Sequence, residues 1–170
     1  MVHYYTLLAI TLDGFIARYS GQMSDWTSKE DREHLTEMEN KADVLLMSRI
    51  SYEVAKNYLT KRKCLILTRS VDSVKEVSAN EVYINPEKTD LQKYIQKNDY
   101  NEVCVLGGRG AYNYCLENNM IGDLYITIEP LLFGEGITAF NKKIKTKEFE
   151  LIESKKLNEN GSLLLHYRQK

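Results

Sequence analysis

The hydrophobic positions of the chain form short apolar runs separated by segments of helical periodicity. Short apolar, β-favouring runs between turn signals predict buried strands, and apolar residues three and four positions apart predict helices. The predicted strands are Val2–Ile10, Asp43–Met47, Lys63–Leu67, Val82–Ile84, Val103–Leu106 and Asp123–Ile128. The predicted helices run from the capping-box pattern Thr27–Glu30 to about Lys41, and over Arg49–Asn57, Asp90–Lys97 and Ala111–Asn118.

The last part of the chain alternates apolar and polar positions. The pattern includes Phe149 and Leu151 and resumes over Ser162–Tyr167, after the turn segment Asn158–Gly161, so it predicts an antiparallel hairpin. Strands that alternate with helices predict a parallel sheet covered on both faces. We therefore expect a single α/β domain over residues 1–170, with a mixed, mostly parallel sheet, helices on both faces and a C-terminal antiparallel hairpin.

Composition and charge restrict the classes of function. The net charge of −1 gives no basic footprint for nucleic acid. No apolar run reaches the roughly 18–20 residues of a membrane span, and the N-terminal segment lacks the features of a signal peptide. Three cysteines without a CxxC motif predict buried thiols in a reducing compartment. We expect a cytoplasmic protein without nucleic-acid or membrane partners.

Motifs for metal binding or nucleophilic catalysis are missing from the sequence. His3, His34 and His166 are far apart and share no ligand spacing, so no metal site is predicted. The sequence contains no GxSxG, HExxH or GxxxxGK[ST] motif.

Three polar or glycine-rich segments follow predicted strands: Ser48–Ser51, Thr68–Ser70 and Gly107–Gly110. In such sheets ligands bind at the carboxyl ends of the strands. The glycines indicate either an ordinary tight turn or a place where backbone N–H groups meet a phosphate. Arg49 and Arg69 are either solvated or hold a phosphate monoester such as the 2′-phosphate of NADP. The glycine spacing differs from the GxGxxG fingerprint.

Trp26 and Asp31 add two further candidates. Trp26 is the only tryptophan, and it either packs against an aromatic ligand or belongs to the core. Asp31 lies in the first turn of a predicted helix, where the macrodipole stabilises a carboxylate. In a closed pocket, desolvation would instead raise its pKa and suit it to proton delivery.

Six motifs in order resemble a known family. They are TLDGFIA (11–17), DWTSKED (25–31), ADVLLMSRISYE (42–53), LILTRS (65–70), VLGGRGAY (105–112) and DLYITIEPLLFGEG (123–136). They resemble the dihydrofolate reductase-like superfamily, and most of all its branch with the reductase domain of the bifunctional riboflavin-biosynthesis deaminase-reductase. The resemblance spans nearly the whole chain. It implies one mixed sheet of about eight strands, NADPH as the cofactor and hydride transfer as the reaction.

The resemblance also assigns the cofactor site by position. It implies that Ala9, Ile16 and Ala17 flank the nicotinamide and that Arg49 is the main partner of the 2′-phosphate. It further implies a cis peptide between Gly107 and Gly108, beneath the pyrophosphate. The complete cofactor-binding set is Ala9, Ile16, Ala17, Arg49, Ile50, Ser51, Thr68, Arg69, Ser70, Gly107, Gly108, Arg109, Gly110 and Ala111.

For the reaction itself, the resemblance implies catalytic roles for Asp31 and Thr127. Asp31 occupies the position of the acidic substrate-binding residue of dihydrofolate reductases, and Thr127 the position of the strand residue that hydrogen-bonds it. Substrate would lie among Trp26, Asp31, Tyr52 and Thr127.

The sequence departs from the family pattern at several positions. Ser48 stands where the family usually has glycine. The arginine that riboflavin reductases carry before the second strand is missing from Glu37–Lys41, and their DPxL segment is missing altogether. Gly14 and its small neighbours belong to the branch that does not reduce pterins.

Two hypotheses follow. The first is an NADPH-dependent reductase of a small heterocyclic or carbonyl-type substrate, similar to 5-amino-6-(5-phosphoribosylamino)uracil reductase or to dihydrofolate reductase. The alternative is a non-catalytic nucleotide-binding or regulatory module that retains the fold. Either would fit a homodimer formed through the tyrosine-rich surface and the C-terminal hairpin.

Overall fold

A computed structural model describes residues 1–140 and 145–170. Its strands are β1 (His3–Thr11), β2 (Phe15–Ala17), β3 (Val44–Ser48), β4 (Cys64–Leu67), β5 (Val74–Ser78), β6 (Glu81–Ile84), β7 (Glu102–Gly107), β8 (Asp123–Glu129), β9 (Ile137–Thr138), β10 (Phe149–Lys156) and β11 (Leu163–Gln169). Its helices are α1 (Lys29–Lys41), α2 (Arg49–Ala55), α3 (Leu91–Lys97) and α4 (Arg109–Glu117). All the predicted strands and helices are present, with ends shifted by a few residues.

Nine of the strands form one sheet in the order β10-β11-β8-β1-β7-β3-β4-β6-β5. The pairings from β8 through β6 are parallel, whereas β11 against β8, β10 against β11 and β5 against β6 are antiparallel. The predicted mixed, mostly parallel sheet with a C-terminal hairpin is confirmed, with nine strands instead of about eight. The prediction missed β5 because this edge strand is polar and almost entirely exposed, and it missed β2 and β9 because both are very short.

The sheet is covered on both faces because its central strands alternate their buried side chains. In β3, Leu46 packs on the face that carries α3 and α4, whereas Leu45 and Met47 pack on the face that carries α1 and α2. The three cysteines are free and buried, as the sequence predicts. Among the described helices, none is long and apolar enough to cross a membrane.

Helix α1 begins one residue later than the capping-box prediction. Ser28, not Thr27, is the N-cap, and its Oγ accepts a hydrogen bond from the Asp31 amide at 3.3 Å. The capping-box role that the prediction gave to Glu30 is taken by Glu129 at the end of β8, which accepts from the Ser28 amide at 2.7 Å. This contact ties the start of α1 to the carboxyl end of the sheet.

The amino ends of β1 and β8 and the end of β11 carry a charge cluster around the buried Asp123. The Asp123 carboxylate bonds His3 at 2.8 Å, His166 at 2.5 Å and Arg168 at 3.0 Å. Burial alone would raise the pKa of Asp123, but the hydrogen bonds from these three partners outweigh it and hold the pKa below its ordinary value. The cluster fastens β11 to the parallel part of the sheet.

Candidate active site

A cleft of about 930 Å³ opens at the carboxyl ends of β1, β3 and β8. It lies between α1, α2 and the segment over residues 19–26, and its size suits a small-molecule or cofactor site. The predicted site residues that line it are Ala9, Ile16, Ala17, Trp26, Asp31, Arg49, Ile50, Ser51, Gly108, Arg109, Gly110 and Thr127.

Strand register brings the two predicted catalytic residues to the same wall of the cleft. Thr127 of β8 stands directly beside Ala9 of β1 and opposite Leu164 of β11, so all three side chains share one face of the sheet. Asp31, only 8% exposed, packs onto this face from α1 and hydrogen-bonds the hydroxyls of Thr127 and Thr27.

The electrostatic surroundings of Asp31 favour its protonated form. Burial is the largest effect and raises the pKa of Asp31 above its ordinary value. The nearby Glu129 carboxylate raises it further, while the threonine hydrogen bonds and His34 oppose the shift. A carboxyl whose pKa is raised in this way is better suited to deliver a proton than an ordinary aspartate.

Glu129 is a buried residue of the site that the sequence reasoning missed. Its carboxylate accepts from the Ser28 amide and Ser28 Oγ at 2.7 Å each, and from Ser162 Oγ at 2.5 Å. These bonds fix the first turn of α1, and therefore Asp31, against β8. The sequence feature that could have identified Glu129 is its carboxylate at the end of a predicted strand, directly before Pro130.

The adjacency of β3 and β4 joins two of the predicted cofactor segments. Arg49 Nη1 donates to Ser70 Oγ at 2.9 Å, and that oxygen lies 2.9 Å from Thr68 Oγ1. Thr68, Arg69 and Ser70 are not among the residues that line the cleft, so Arg49 connects them to it. Arg69 turns away to Glu87, at 3.7 Å.

The glycine turn after β7 adopts a conformation other than the one that the resemblance implies. The Gly107–Gly108 peptide is trans, so the expectation of a cis bond is wrong. Instead, φ angles of +129° and +56° at the two glycines make the bend, which other residues rarely adopt. Gly107 and Ala111 are buried and do not line the cleft.

Gly108 also lies tightly against the segment that follows β3. A Cβ atom at Gly108 would lie 2.0 Å from Ser48 Oγ and 2.6 Å from Ser51 Oγ, so only glycine fits there. Gly108 is the N-cap of α4 and offers no side-chain cap, which leaves amides at the start of α4 without a side-chain partner. The turn is held from below by the Tyr112 hydroxyl, which donates to the Leu7 and Leu106 carbonyls.

Of the aromatic residues predicted to contact substrate, one lies at the cleft and one does not. Trp26 lines the cleft and packs edge-on against Phe133, with ring centroids 4.9 Å apart. Tyr52 lies outside the lining, because its position on α2 directs the ring into the core beneath that helix. There it packs edge-on against Tyr83, at 6.2 Å.

Three ionisable residues of α1, Arg32, His34 and Glu39, line the cleft without having been predicted. His34 and Glu39 follow Asp31 by three and eight positions, so they lie on either side of it around the helix. Burial lowers the pKa of His34, so it is neutral at pH 7, although Asp31 opposes this effect. The helical spacing from Asp31 was the signal that could have found them.

The structure thus combines a cleft at the carboxyl edge of the sheet with a buried acid on α1 and a glycine turn before α4. The family model for dihydrofolate reductase matches residues 5–169. The chain therefore belongs to the dihydrofolate reductase family.

Individual relatives are distant in sequence. The uncharacterized protein YwjB of Bacillus subtilis (strain 168) is 24% identical over 169 residues, covering 94% of each chain. The dihydrofolate reductase of Heliothis virescens is 25% identical over 161 residues, covering 89% of this chain and 85% of that protein.

Solved structures extend the similarity of fold to the riboflavin-related branch. A pyrimidine reductase-like protein from Corynebacterium diphtheriae superposes with a TM-score of 0.78 at 14% identity, covering 99% of this chain and 92% of that one. The diaminohydroxyphosphoribosylaminopyrimidine deaminase/5-amino-6-(5-phosphoribosylamino)uracil reductase of Thermotoga maritima gives 0.71 at 20% identity, covering 99% of this chain and 57% of that one. The fold is therefore the one that the resemblance of the six sequence motifs implies.

Proposed function

We propose that the protein is an NADPH-dependent reductase that transfers hydride to a small heterocyclic or carbonyl-type substrate. The observation that carries the proposal is a single cleft that joins two unlike regions. One is the desolvated Asp31 on the wall with Thr127, and the other is the anion-accepting edge formed by Arg49, Gly108 and the start of α4.

The residues at this edge suit a phosphorylated dinucleotide. The guanidinium of Arg49, the hydroxyls of Thr68 and Ser70 and the free amides at the start of α4 are all groups that bind phosphate oxygens. Ala9, Ile16 and Ala17 present small or apolar surface for a nicotinamide ring, which supplies the hydride when the cofactor is bound.

Asp31 would deliver the proton that accompanies hydride transfer. Its raised pKa favours the protonated carboxyl that such a step needs, and the hydrogen bond with Thr127 helps to orient it. The surrounding cleft walls exclude water from this position, which strengthens every polar contact made there.

Titration of NADPH and NADH against Trp26 fluorescence tests the cofactor assignment, because the only tryptophan lines the cleft. Arg49→Ala should weaken NADPH about tenfold or more and leave NADH almost unchanged, since one charge-assisted hydrogen bond is worth roughly 1.5–3 kcal/mol. Lys56→Ala is the matched control, because it removes the same charge from an exposed position at the other end of α2. Equal affinities of the unaltered protein for the two dinucleotides would refute the assignment.

The tight contact of Ser48 and Ser51 with Gly108 keeps the second candidate function open. These side chains fill space between two of the predicted cofactor segments, which a binding module without turnover would tolerate. NADPH absorbance measured with a panel of pterins, ribosylaminopyrimidines and simple carbonyls separates the two functions. Tight NADPH binding without oxidation by any compound would favour the module.

We also propose that the protein is a cytoplasmic homodimer joined along β10. This edge strand exposes Leu151 and Ile152, and it is acidic at Glu150 and basic at Lys155. Two antiparallel copies would therefore bring opposite charges together. Sedimentation should detect a dimer. Lys155→Glu should dissociate it, and the added change Glu150→Lys should restore it; a monomeric wild-type protein would refute the proposal.

The proposed cytoplasmic location is supported by the three free buried thiols, which suit a reducing compartment.

A further inference from the structure

Helix α1 gives the substrate side of the cleft a carboxyl group at each end. Asp31, His34, Leu35 and Glu39 all line the cleft from this helix. At 1.5 Å per residue, Asp31 and Glu39 lie about 12 Å apart along the helix axis. A ligand that lies along α1 therefore meets one carboxyl near its first end and another near its far end.

The positively charged side chains that line the cleft have other partners or lie away from Glu39. Among its described lining residues, those with a full positive charge at neutral pH are Arg32, Arg49 and Arg109. Arg49 bonds Ser70, and Arg109 opens α4, so both belong to the proposed cofactor side. Arg32 donates to the main-chain carbonyls of Thr27 and Asp25.

The wall opposite α1 is mostly apolar. It is formed by Val54 and Ala55 of α2 and by Tyr58 and Leu59, which follow that helix. Arg32 lies in the first turn of α1, seven positions before Glu39. An anionic group placed between this wall and the Glu39 end of α1 would therefore lose its water without a cationic side chain of the cleft beside it, which is costly. A hydrogen-bond donor or an ammonium group would instead meet the oxygen atoms of Glu39.

The surroundings of Glu39 support this role. Burial raises the pKa of Glu39, and the charge of Arg62 opposes the shift. Arg62 itself does not line the cleft, because its guanidinium donates to Asn40 Oδ1 and the Ala42 carbonyl at 3.3 Å each. Glu39 thus lines the cleft, and no ion pair of its carboxyl group is found among the described residues.

Building on the proposed reductase function, we infer that the substrate side of the cleft takes an uncharged or cationic nitrogen-bearing molecule with no phosphate or carboxylate. Glu39 is the residue that sets this specificity. The phosphoribosylamino compound in the name of the Thermotoga maritima enzyme carries the opposite charge.

Three 2,4-diaminopyrimidines test the inference. Each carries a tail of about 12 Å, the rise along α1 from Asp31 to Glu39, and the tails end in an ammonium, a carboxamide or a carboxylate. The ring offers a pair of N–H donors that match the Asp31 carboxylate. Binding is read from Trp26 fluorescence, with and without saturating NADPH, so no turnover is required.

We expect the ammonium compound to bind at least about tenfold more tightly than the carboxylate compound, with the carboxamide between them. Glu39→Gln keeps the shape of the side chain and should reduce the ratio to below about threefold, whereas Glu39→Asp should retain most of it. Glu33→Gln is the matched control, because this exposed glutamate of α1 does not line the cleft, and it should leave the ratio unchanged.

A carboxylate compound that binds as tightly as the ammonium compound would overturn the inference, and so would a ratio that Glu39→Gln leaves unchanged. The reductase proposal fails separately, through the absence of NADPH binding or of NADPH oxidation. If the protein prefers the ammonium tail but neither binds nor oxidises NADPH, the reductase proposal is refuted and the inferred charge preference is still supported.

Discussion

Two buried aspartates near opposite ends of β8 differ in the partners that surround them. Asp123 begins the strand and is bonded by His3, His166 and Arg168. Asp31 contacts Thr127 near the other end and receives hydrogen bonds from hydroxyls only, with Glu129 close by. The pKa of Asp123 is therefore lowered and that of Asp31 is raised.

The difference indicates that the aspartate at one end of β8 serves the stability of the fold, whereas the aspartate near the other end serves the proposed reaction. A carboxylate paired with cations stabilises the fold, because its charge is compensated where it is buried. A carboxyl without a cation costs stability when it ionises, and such residues are concentrated at functional sites. Substitutions at the two ends should therefore affect different measurements.

The largest effect is expected from Asp31→Asn on turnover. The amide keeps the size of the side chain but cannot deliver a proton, so the rate of NADPH oxidation should fall about 100-fold or more. NADPH affinity, measured from Trp26 fluorescence, should stay the same. Unchanged turnover would remove Asp31 from the chemistry.

The next effect is expected from Asp123→Asn on stability. The neutral amide cannot compensate the charge of Arg168 and cannot accept hydrogen bonds from His3 and His166 as strongly as a carboxylate, so the free energy of unfolding should fall by about 2–3 kcal/mol. Urea denaturation measures this change. A loss of less than about 0.5 kcal/mol would place the cluster among ordinary surface ion pairs, and the comparison would fail.

A smaller effect is expected on the pH dependence of stability, and its sign should differ between Asp31→Asn and Asp123→Asn. A raised pKa in the folded state means that ionisation of Asp31 destabilises the fold as pH rises above about 4, the ordinary value for aspartate. Asp31→Asn should thus melt at a higher temperature than the wild type at pH 7, and the advantage should disappear at acid pH.

The opposite sign is expected for Asp123. Its lowered pKa stabilises the fold above about pH 4 and loses that effect as pH falls through the folded-state value. The penalty of Asp123→Asn should be greatest at neutral pH and shrink in acid. Melting curves of both variants between pH 3 and pH 7 check the two signs together; equal signs would contradict the contrast.

The smallest effect is expected from Glu102→Gln. Its carboxylate bonds His3 at 2.8 Å, but both side chains are 43% exposed. Such a pair contributes little in water, so unfolding free energy should change by less than about 0.5 kcal/mol. A larger change in urea denaturation would show that the charge cluster extends to the surface.

The fold was predictable because its signals are local. Apolar runs such as Lys63–Leu67 and the turn at Asn158–Gly161 act over a few residues, and each gave the correct element. Strand β5 was not predictable in this way. Its exposed VKEVS sequence becomes a strand only because β6 offers an unpaired edge.

The site was predictable in part, for a different reason. Asp31 and Arg49 follow from motifs, but Glu129 reaches Ser28 across 101 positions, and no local pattern encodes that contact. The glycine turn shows the same limit: the residues were identified, while its backbone conformation depends on Ser48, Ser51 and Tyr112 around it. Tyr52 was misplaced because the predicted helix was correct but its packing was not known: α2 turns this ring into the core.

The central position of β1 has a consequence for how the chain reaches its native state. This strand is made before both of its neighbours in the sheet, because it pairs on one side with β7 and on the other with β8, and ninety residues lie between Thr11 and Glu102. During synthesis the apolar side chains of β1 therefore remain unpaired until β7 and β8 have been made. Folding dominated by such distant pairings is slow, and the waiting strand is a site where nascent chains can associate wrongly.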